Sequence, residues 1–264
     1  MNVYPFLQTV RERKPLVHHI TNWVTIFQCA QVVKSFGASP VMAHAPEEAE
    51  TMTSIGSALV LNIGTLTSDV VESMKLAAKA ANRKQIPVVL DVCGAGATPF
   101  RDQKCLEILE TAKIDVIKGN SSEIARIAGL AVKTKGVDAG TVAADLREVA
   151  VALATKRKCN VVITGAEDIV VGNGKIFVVR NGHPMMATLV GTGCMAASVI
   201  GTFAGAVPEQ IPEAAAAGLA CYEIAAELAV KKSEGPGTFV QHLFDCVANL
   251  DEKQVRAMQQ VGLA

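Results

Sequence analysis

The sequence carries no net charge, because 25 Lys and Arg residues balance 25 Asp and Glu residues. No global basic field exists to gather nucleic acid or an anionic membrane, so a small-molecule partner is expected. No apolar run reaches the roughly 18 residues that a membrane-spanning helix needs. Met1 to Lys14 mixes Pro5, Arg11, Glu12, Arg13 and Lys14 and lacks the apolar stretch of a secretory signal. The seven cysteines are odd in number and form no CxxC pair. They read as reduced thiols in a cytoplasm, not as a disulfide framework or a zinc site. Three nucleotide signatures are missing too. There is no GxxxxGK[ST], no HRD or DFG set, and no GxGxxG between a strand and a helix. Nor is there an internal repeat, a low-complexity linker or a shift in composition, so residues 1–264 are expected to form a single domain.

What is present is an apolar chain of 264 residues, half of them hydrophobic and dominated by Ala, Val, Ile and Leu. That bias suits a parallel sheet covered by helices on both faces. Short apolar runs at Val17–Ile20, Ala58–Ile63, Val88–Asp91, Asp115–Lys118 and Val161–Thr164 predict buried strands. Helices are predicted between them, over Asn22–Phe36, Asp69–Lys84, Lys104–Thr111, Ser121–Ala128 and Ala143–Lys156. Asn120 with Glu123 has the form of a capping box. Ile169–Arg180, with Gly172-Asn173-Gly174 at its middle, reads as a hairpin. From Gly193 onward the chain reads as helical, most clearly over Pro212–Lys231. The alternation predicts an α/β fold built from βαβ crossovers, with ligands outside the carboxyl ends of the strands.

That rule selects the candidate site residues. Gly191-Thr192-Gly193-Cys194 precedes a helix-like run, and amides at a helix start can form an anion hole for a phosphoryl group. An ordinary glycine turn is the competing reading. Cys194 at that hole either handles a substrate hydroxyl proton as a thiolate favoured by the helix dipole, or packs as a small hydrophobe. Asp91 ends a strand before the Gly94-Ala95-Gly96 loop and can hold Mg²⁺ through water, or simply cap the turn. Lys118 can reach a nucleotide phosphate beside Asn120. Glu123 either joins the Mg²⁺ shell or serves only the capping box. Thr164 ends another strand, where it touches phosphate or caps a turn. His18 and His19 point to opposite faces of their strand, so at most one contacts substrate. Gly235-Pro236-Gly237-Thr238 reads as a rigid turn after a long helix, with a helix stop as the competing reading.

Taken in order, these segments resemble the hydroxyethylthiazole kinase family. The resemblance is carried by Val17-His18-His19-Ile20-Thr21-Asn22, Gly37-Ala38-Ser39-Pro40-Val41-Met42 and Leu61-Asn62-Ile63-Gly64-Thr65. It continues through Val89-Leu90-Asp91 with Gly94–Thr98, Lys118-Gly119-Asn120 with Glu123, Ile163-Thr164-Gly165, Gly191–Cys194 and Gly235-Pro236-Gly237. It runs from about Pro15 to Asp245.

The resemblance implies a ribokinase-like fold and phosphoryl transfer from ATP to the hydroxyl of 4-methyl-5-(2-hydroxyethyl)thiazole, with Mg²⁺. It also implies a homotrimer with active sites between subunits. On this basis the backbone around Met42, with Asn22, Gly64 and Gly191, would hold the thiazole. Lys118 and Thr164 would contact ATP, with Asn120, Thr192 and Gly193 beside the phosphates. Asp91 and Glu123 would serve the metal, and Cys194 would occupy the catalytic position, where related sugar kinases usually carry Asp. Phe27, Gln31 and Val92-Cys93 depart from the family pattern, the first two in place of Asn and the last in place of Pro-Val. The departures bear on substrate preference, so another small-alcohol kinase acting on a hydroxymethylpyrimidine or a sugar is the alternative, followed by an ATP-dependent dehydratase and a non-catalytic nucleotide-binding relative.

Overall fold

A computed structural model describes residues 1–130 and 145–264. Ala143 and Ala144, the start of the expected helix Ala143–Lys156, lie outside the described residues. The strands are β1 (Leu16–Ile20), β2 (Ser39–Met42), β3 (Ala58–Asn62), β4 (Val88–Asp91), β5 (Val116–Asn120), β6 (Asn160–Thr164), β7 (Asp168–Gly172), β8 (Lys175–Val179) and β9 (Val261–Leu263). The described residues place all nine in one sheet, in the order β2-β1-β3-β4-β5-β6-β7-β8-β9. From β2 to β6 every pairing is parallel, and β7, β8 and β9 continue antiparallel. The predicted hairpin is β7–β8, turning at Asn173 and Gly174.

The parallel strands are apolar on both faces, and successive side chains divide between two cores. Val60, Val89, Val116 and Val162 face one core. Leu59, Leu61, Leu90, Ile117, Val161 and Ile163 face the other. The first core is closed by α1 (Tyr4–Arg13), α2 (Ile26–Ser35), α8 (Thr192–Ala206), α9 (Ile211–Val230), α10 (Pro236–Ala248) and α11 (Glu252–Met258). The second is closed by α3 (Pro46–Ile55), α4 (Ser68–Lys84), α5 (Pro99–Thr111), α6 (Ser121–Ala128) and α7 (Leu146–Arg157). The Ala- and Gly-rich sequence of α8 follows from its place. It packs directly on β1, β3 and β4, and the backbone at Gly201 lies against Val60 with no room for a Cβ.

Several boundaries differ from expectation. The helix expected from Asn22 begins at Ile26, because Asn22 Oδ1 accepts from the Thr25 amide at 3.0 Å and holds residues 22–25 in a turn. The helix expected from Lys104 begins at Pro99, where the Thr98 side chain caps the Arg101 amide. Gly235–Thr238 is not a helix stop: α9 has already ended at Val230, and Pro236 opens α10 at its first position. The helical C-terminal third also ends in a short strand, β9, rather than in helix.

Candidate active site

Parallel pairing puts the carboxyl ends of β1 to β6 along one edge of the sheet. Met42, Asp91, Asn120 and Thr164 are the last residues of β2, β4, β5 and β6. Asn22 and Gly64 lie just beyond β1 and β3. From β1 the chain moves outward to β2 and then crosses back to β3 on the other side of β1. This reversal of strand order is the crevice where open α/β sheets bind ligands. The first turn of α8, Thr192-Gly193-Cys194, opens onto the same edge. Its N-cap is Gly191 at φ 97°, a left-handed conformation. A Cβ there would meet Thr25 Cγ2 at 2.5 Å. The sequence-selected residues therefore lie along one edge of the sheet, with Asn22, Asp91, Lys118 and the start of α8 brought together at its middle, and α8 presents the first-turn amides that a helix start leaves without intrahelical partners.

A buried hydrogen-bond network ties the strand ends to Cys194. Asn22 Nδ2 donates to Cys194 Sγ at 3.2 Å and to Asn62 Oδ1 at 3.1 Å. Asn22 Oδ1 accepts from the amide and hydroxyl of Thr25, each at 3.0 Å. Asn62 Nδ2 donates to Asp91 Oδ2 at 2.8 Å, and Asn62 Oδ1 also accepts from the Gly64 amide at 2.8 Å. Asn62 thus links β1, β3 and β4, although sequence reading gave it no role. Its signal was a polar residue closing a fully apolar strand. Arg101 was also missed. Its guanidinium donates to the carbonyls of Ile63, Gly64 and Cys93 at 2.9, 2.8 and 3.3 Å, bracing two loops at the site.

The electrostatics of the pocket are set by burial. Lys118 Nζ lies 3.4 Å from both Asp91 carboxylate oxygens. A Cβ on Gly193 would stand 3.2 Å from the same ammonium, which places Lys118 under the first turn of α8. Burial opposes its charge, but Asp91 and Glu123 outweigh burial and hold Lys118 protonated. Burial pushes Asp91 and Glu123 up from the usual carboxylate range, and Lys118 counters it for both. Cys194 moves the other way, to about 5. The main cause is a hydrogen bond from the Cys93 thiol. Burial opposes it, and the Lys118 ammonium and hydrogen bonds from Thr25 and Asn62 assist. A depressed Cys194 was expected from the helix dipole; the groups now visible are a second thiol and a lysine.

Asp91 and Glu123 suit a magnesium site of the sparse kind. Among the described residues no three His, Cys, Asp or Glu side chains converge as a cage. Mg²⁺ characteristically uses one or two carboxylates and completes its shell with water and substrate phosphate. Burial raises both carboxyls, and a cation beside them would favour their charged forms. Glu123 also makes the expected capping box, since Oε1 accepts from the Gly94 amide and Oε2 from the Asn120 amide, both at 2.7 Å. With both oxygens engaged, Glu123 could reach a metal only through water. Asn120 Oδ1 accepts from the Glu123 amide at 3.0 Å and the Ser122 hydroxyl at 2.8 Å, so this oxygen is engaged in the cap.

Thr164 Oγ1 has only a long contact, 3.5 Å, to the Gly119 carbonyl, which leaves the hydroxyl available to a ligand. The following turn is braced by the Gly165 amide donating to Asp168 Oδ1 at 2.9 Å. The Thr192 hydroxyl turns back to the Met186 carbonyl at 3.0 Å, so its free contribution is its amide. His18 and His19 do face opposite ways, and both are buried. His18 contacts the Thr53 hydroxyl and the Ala43 carbonyl at 2.8 and 2.9 Å. Burial pushes His19 down to about 3, so it is a neutral imidazole at ordinary pH.

A sequence profile of the hydroxyethylthiazole kinase family matches residues 7–253. A hydroxyethylthiazole kinase of Methanosarcina mazei is 54% identical over 255 residues, 97% of each chain. The chain belongs to the hydroxyethylthiazole kinase family. The solved hydroxyethylthiazole kinase structure from Pyrococcus horikoshii OT3 superposes with a TM-score of 0.90 at 37% identity, covering 99% of this chain and 98% of that one. A ribokinase-like superfamily protein of Enterococcus faecalis, 16% identical, superposes at 0.61 over 88% of this chain and 86% of its own, consistent with the ribokinase-like fold alone.

The residues that sequence analysis set apart from the family pattern occupy defined places. Phe27 projects from α2 and is 67% exposed. Gln31 bonds Ser35 on the same helix at 3.3 Å. Val92 is buried, and Cys93 is half-buried beside Gly64.

Proposed function

We propose that this chain transfers the γ-phosphoryl group of ATP to the hydroxyl of 4-methyl-5-(2-hydroxyethyl)thiazole, a step of thiamine salvage. The observation that carries the reading is Cys194, a thiol biased toward thiolate in the first turn of α8, at the strand-order reversal of a family member. The thiazole lies against the backbone near Met42, Gly64 and Gly191, with Asn22 fixing Cys194 beside it. Lys118 and Thr164 contact the nucleotide, and the amides of Thr192 and Gly193 receive the transferred group, next to Asn120.

Phosphoryl transfer needs little covalent help; positioning and charge neutralisation dominate. The first-turn amides and Lys118 face the charge on the transferring group. Cys194 accepts or orients the hydroxyl proton, a contribution of about 10²-fold on the general-base scale. Asp91 and Glu123 would hold Mg²⁺ through water, and the ion would neutralise phosphate charge.

We further propose that residues 1–264 form one domain, that the protein works in the cytoplasm, and that it assembles as a homotrimer with sites at subunit interfaces. In support of assembly, Trp23, Val24, Phe27 and Val190 are large apolar residues, each more than half exposed, and they flank Asn22 and Gly191. Among the described residues no helix is long and apolar enough to cross a membrane. The test of function is mass detection of the thiazole phosphate from ATP, Mg²⁺ and the alcohol. Absence of that product from a folded protein rejects the reading. Sedimentation tests the trimer, and a mass near 28 kDa at micromolar concentration, close to the 27.7 kDa chain, contradicts it.

A further inference from the structure

Trp23 is the only tryptophan of the chain. It follows Asn22, whose side chain reaches Cys194, in the turn between β1 and α2. Two contacts fix it there. Its backbone amide donates to the Thr65 hydroxyl at 3.0 Å, next to Gly64. Its indole stacks on the ring of His44, two residues beyond the end of β2, with centroids 5.0 Å apart and planes 24° from parallel. His44 is held in turn by Thr21, since Nε2 lies 3.2 Å from both the amide nitrogen and the carbonyl oxygen of that residue. Trp23 thus sits where the loops after β1, β2 and β3 meet. Those loops carry or follow Asn22, Met42 and Gly64, the residues placed around the thiazole. Despite this anchoring Trp23 is 56% exposed. Fixing a large side chain costs rotamer entropy, and its apolar surface still meets water, so folding alone gains little from the arrangement. A second ring laid on the indole would cover that surface, in the offset stacking that aromatic pairs prefer. Val24 and Phe27 are exposed as well. What sets Trp23 apart is its anchoring to the β2 and β3 loops.

We infer that the Trp23–His44 stack is a recognition platform for the aromatic ring of the phosphoryl acceptor, and that it selects heteroaromatic alcohols over sugars. The inference rests on the proposed kinase reading and adds a specificity residue to it. The indole receives the flat ring of the acceptor, and the hydroxyalkyl arm of that ring extends past Asn22 toward Cys194. His44 occupies one face of the indole and keeps it from turning away, so less freedom is lost when the acceptor binds. A sugar offers no π face to match and would bring hydroxyls against apolar surface, where they lose water without gaining a partner. The platform exchanges neither proton nor charge with the reacting group. It therefore acts on acceptor affinity and leaves the chemical step to Cys194 and the amides of α8.

The test titrates the wild-type protein, with ADP and Mg²⁺ present, and follows its tryptophan emission, which comes from Trp23 alone. Hydroxyethylthiazole should change that emission saturably, and ribose should not. Trp23→Leu keeps an apolar side chain without a ring, and Trp23→Phe keeps a ring. Both should fold, because Trp23 is largely exposed. Trp23→Leu should raise the KM for the thiazole alcohol roughly 3- to 10-fold, the scale of one lost aromatic contact, with smaller changes in kcat and in the KM for ATP. Trp23→Phe should recover most of that loss. Emission that hydroxyethylthiazole leaves unchanged, or that ribose changes equally, overturns the inference. So does an unchanged KM in Trp23→Leu; a fall in sedimentation mass alongside it would assign Trp23 to a subunit contact instead. The kinase reading fails separately: a saturable emission change with no thiazole phosphate formed upholds the platform and rejects the reaction.

Discussion

Asn22 and Cys194 are 172 residues apart in sequence and joined by a hydrogen bond of 3.2 Å. One amide group therefore orients the candidate catalytic sulfur. It also receives Thr25 and spans to Asn62, so every polar atom of the Asn22 side chain is engaged. Asn22→Ala leaves the Thr25 amide and hydroxyl without their acceptor, while the Asn62 carbonyl oxygen keeps the Gly64 amide. Urea unfolding should show a loss of about 1–3 kcal/mol, the usual cost of stranding buried polar groups. Turnover should fall further than the KM for ATP changes, because the lost contact acts on Cys194 and not on the nucleotide.

Cys194 itself gives the sharpest substitution series. Cys194→Ala and Cys194→Ser should lower kcat roughly 10- to 10³-fold with little change in KM for ATP, since amides and metal supply most of the stabilisation. Cys194→Asp should retain activity, because a carboxylate is ionised at neutral pH and can accept the same proton. A folded Cys194→Asp less active than Cys194→Ala removes the proton-handling role and leaves Cys194 as packing.

The same thiol predicts a pH dependence. Its value lies below that of an ordinary thiol, at about 5, so the thiolate persists above that pH and is lost as pH falls through it. Iodoacetamide alkylation of Cys194 should rise through a midpoint well below 7. Cys93→Val removes the leading cause and should shift the midpoint upward. Equal midpoints in the two proteins refute the role of the Cys93 hydrogen bond.

Lys118 stabilises the fold as well as the site. Lys118→Met leaves Asp91 buried without its cation, a change that typically costs about 3–5 kcal/mol. The melting temperature should fall, and at temperatures where the variant is folded the KM for ATP should rise. Adding Asp91→Asn should recover part of the stability without recovering turnover. A double variant no more stable than Lys118→Met contradicts the pairing.

The strand ends were legible because parallel strands buried on both faces appear as unbroken apolar runs, and each run stops at the residue that meets solvent or ligand. Asp91, Lys118 and Thr164 were found this way. Pro46 followed by Glu47 and Glu48 is also a readable helix start, yet α3 was passed over because its apolar face is weak. β2 escaped because Pro40 sits inside it, which only an edge strand tolerates. Asn62 and Arg101 were not legible. They act across the ends of different strands and loops, and only the pairing order brings those ends together. Glu123 shows the opposite limit: the capping box was readable from spacing, but no spacing says whether the same carboxylate also serves a metal.

ADP release coupled to an indicator, measured with Mg²⁺ across three alcohols, tests the central claim most directly. The account predicts that the hydroxyethylthiazole stimulates ATP consumption well above hydroxymethylpyrimidine and ribose, and that the stimulation needs Mg²⁺. Faster turnover of ribose or of the pyrimidine by the folded protein would contradict it.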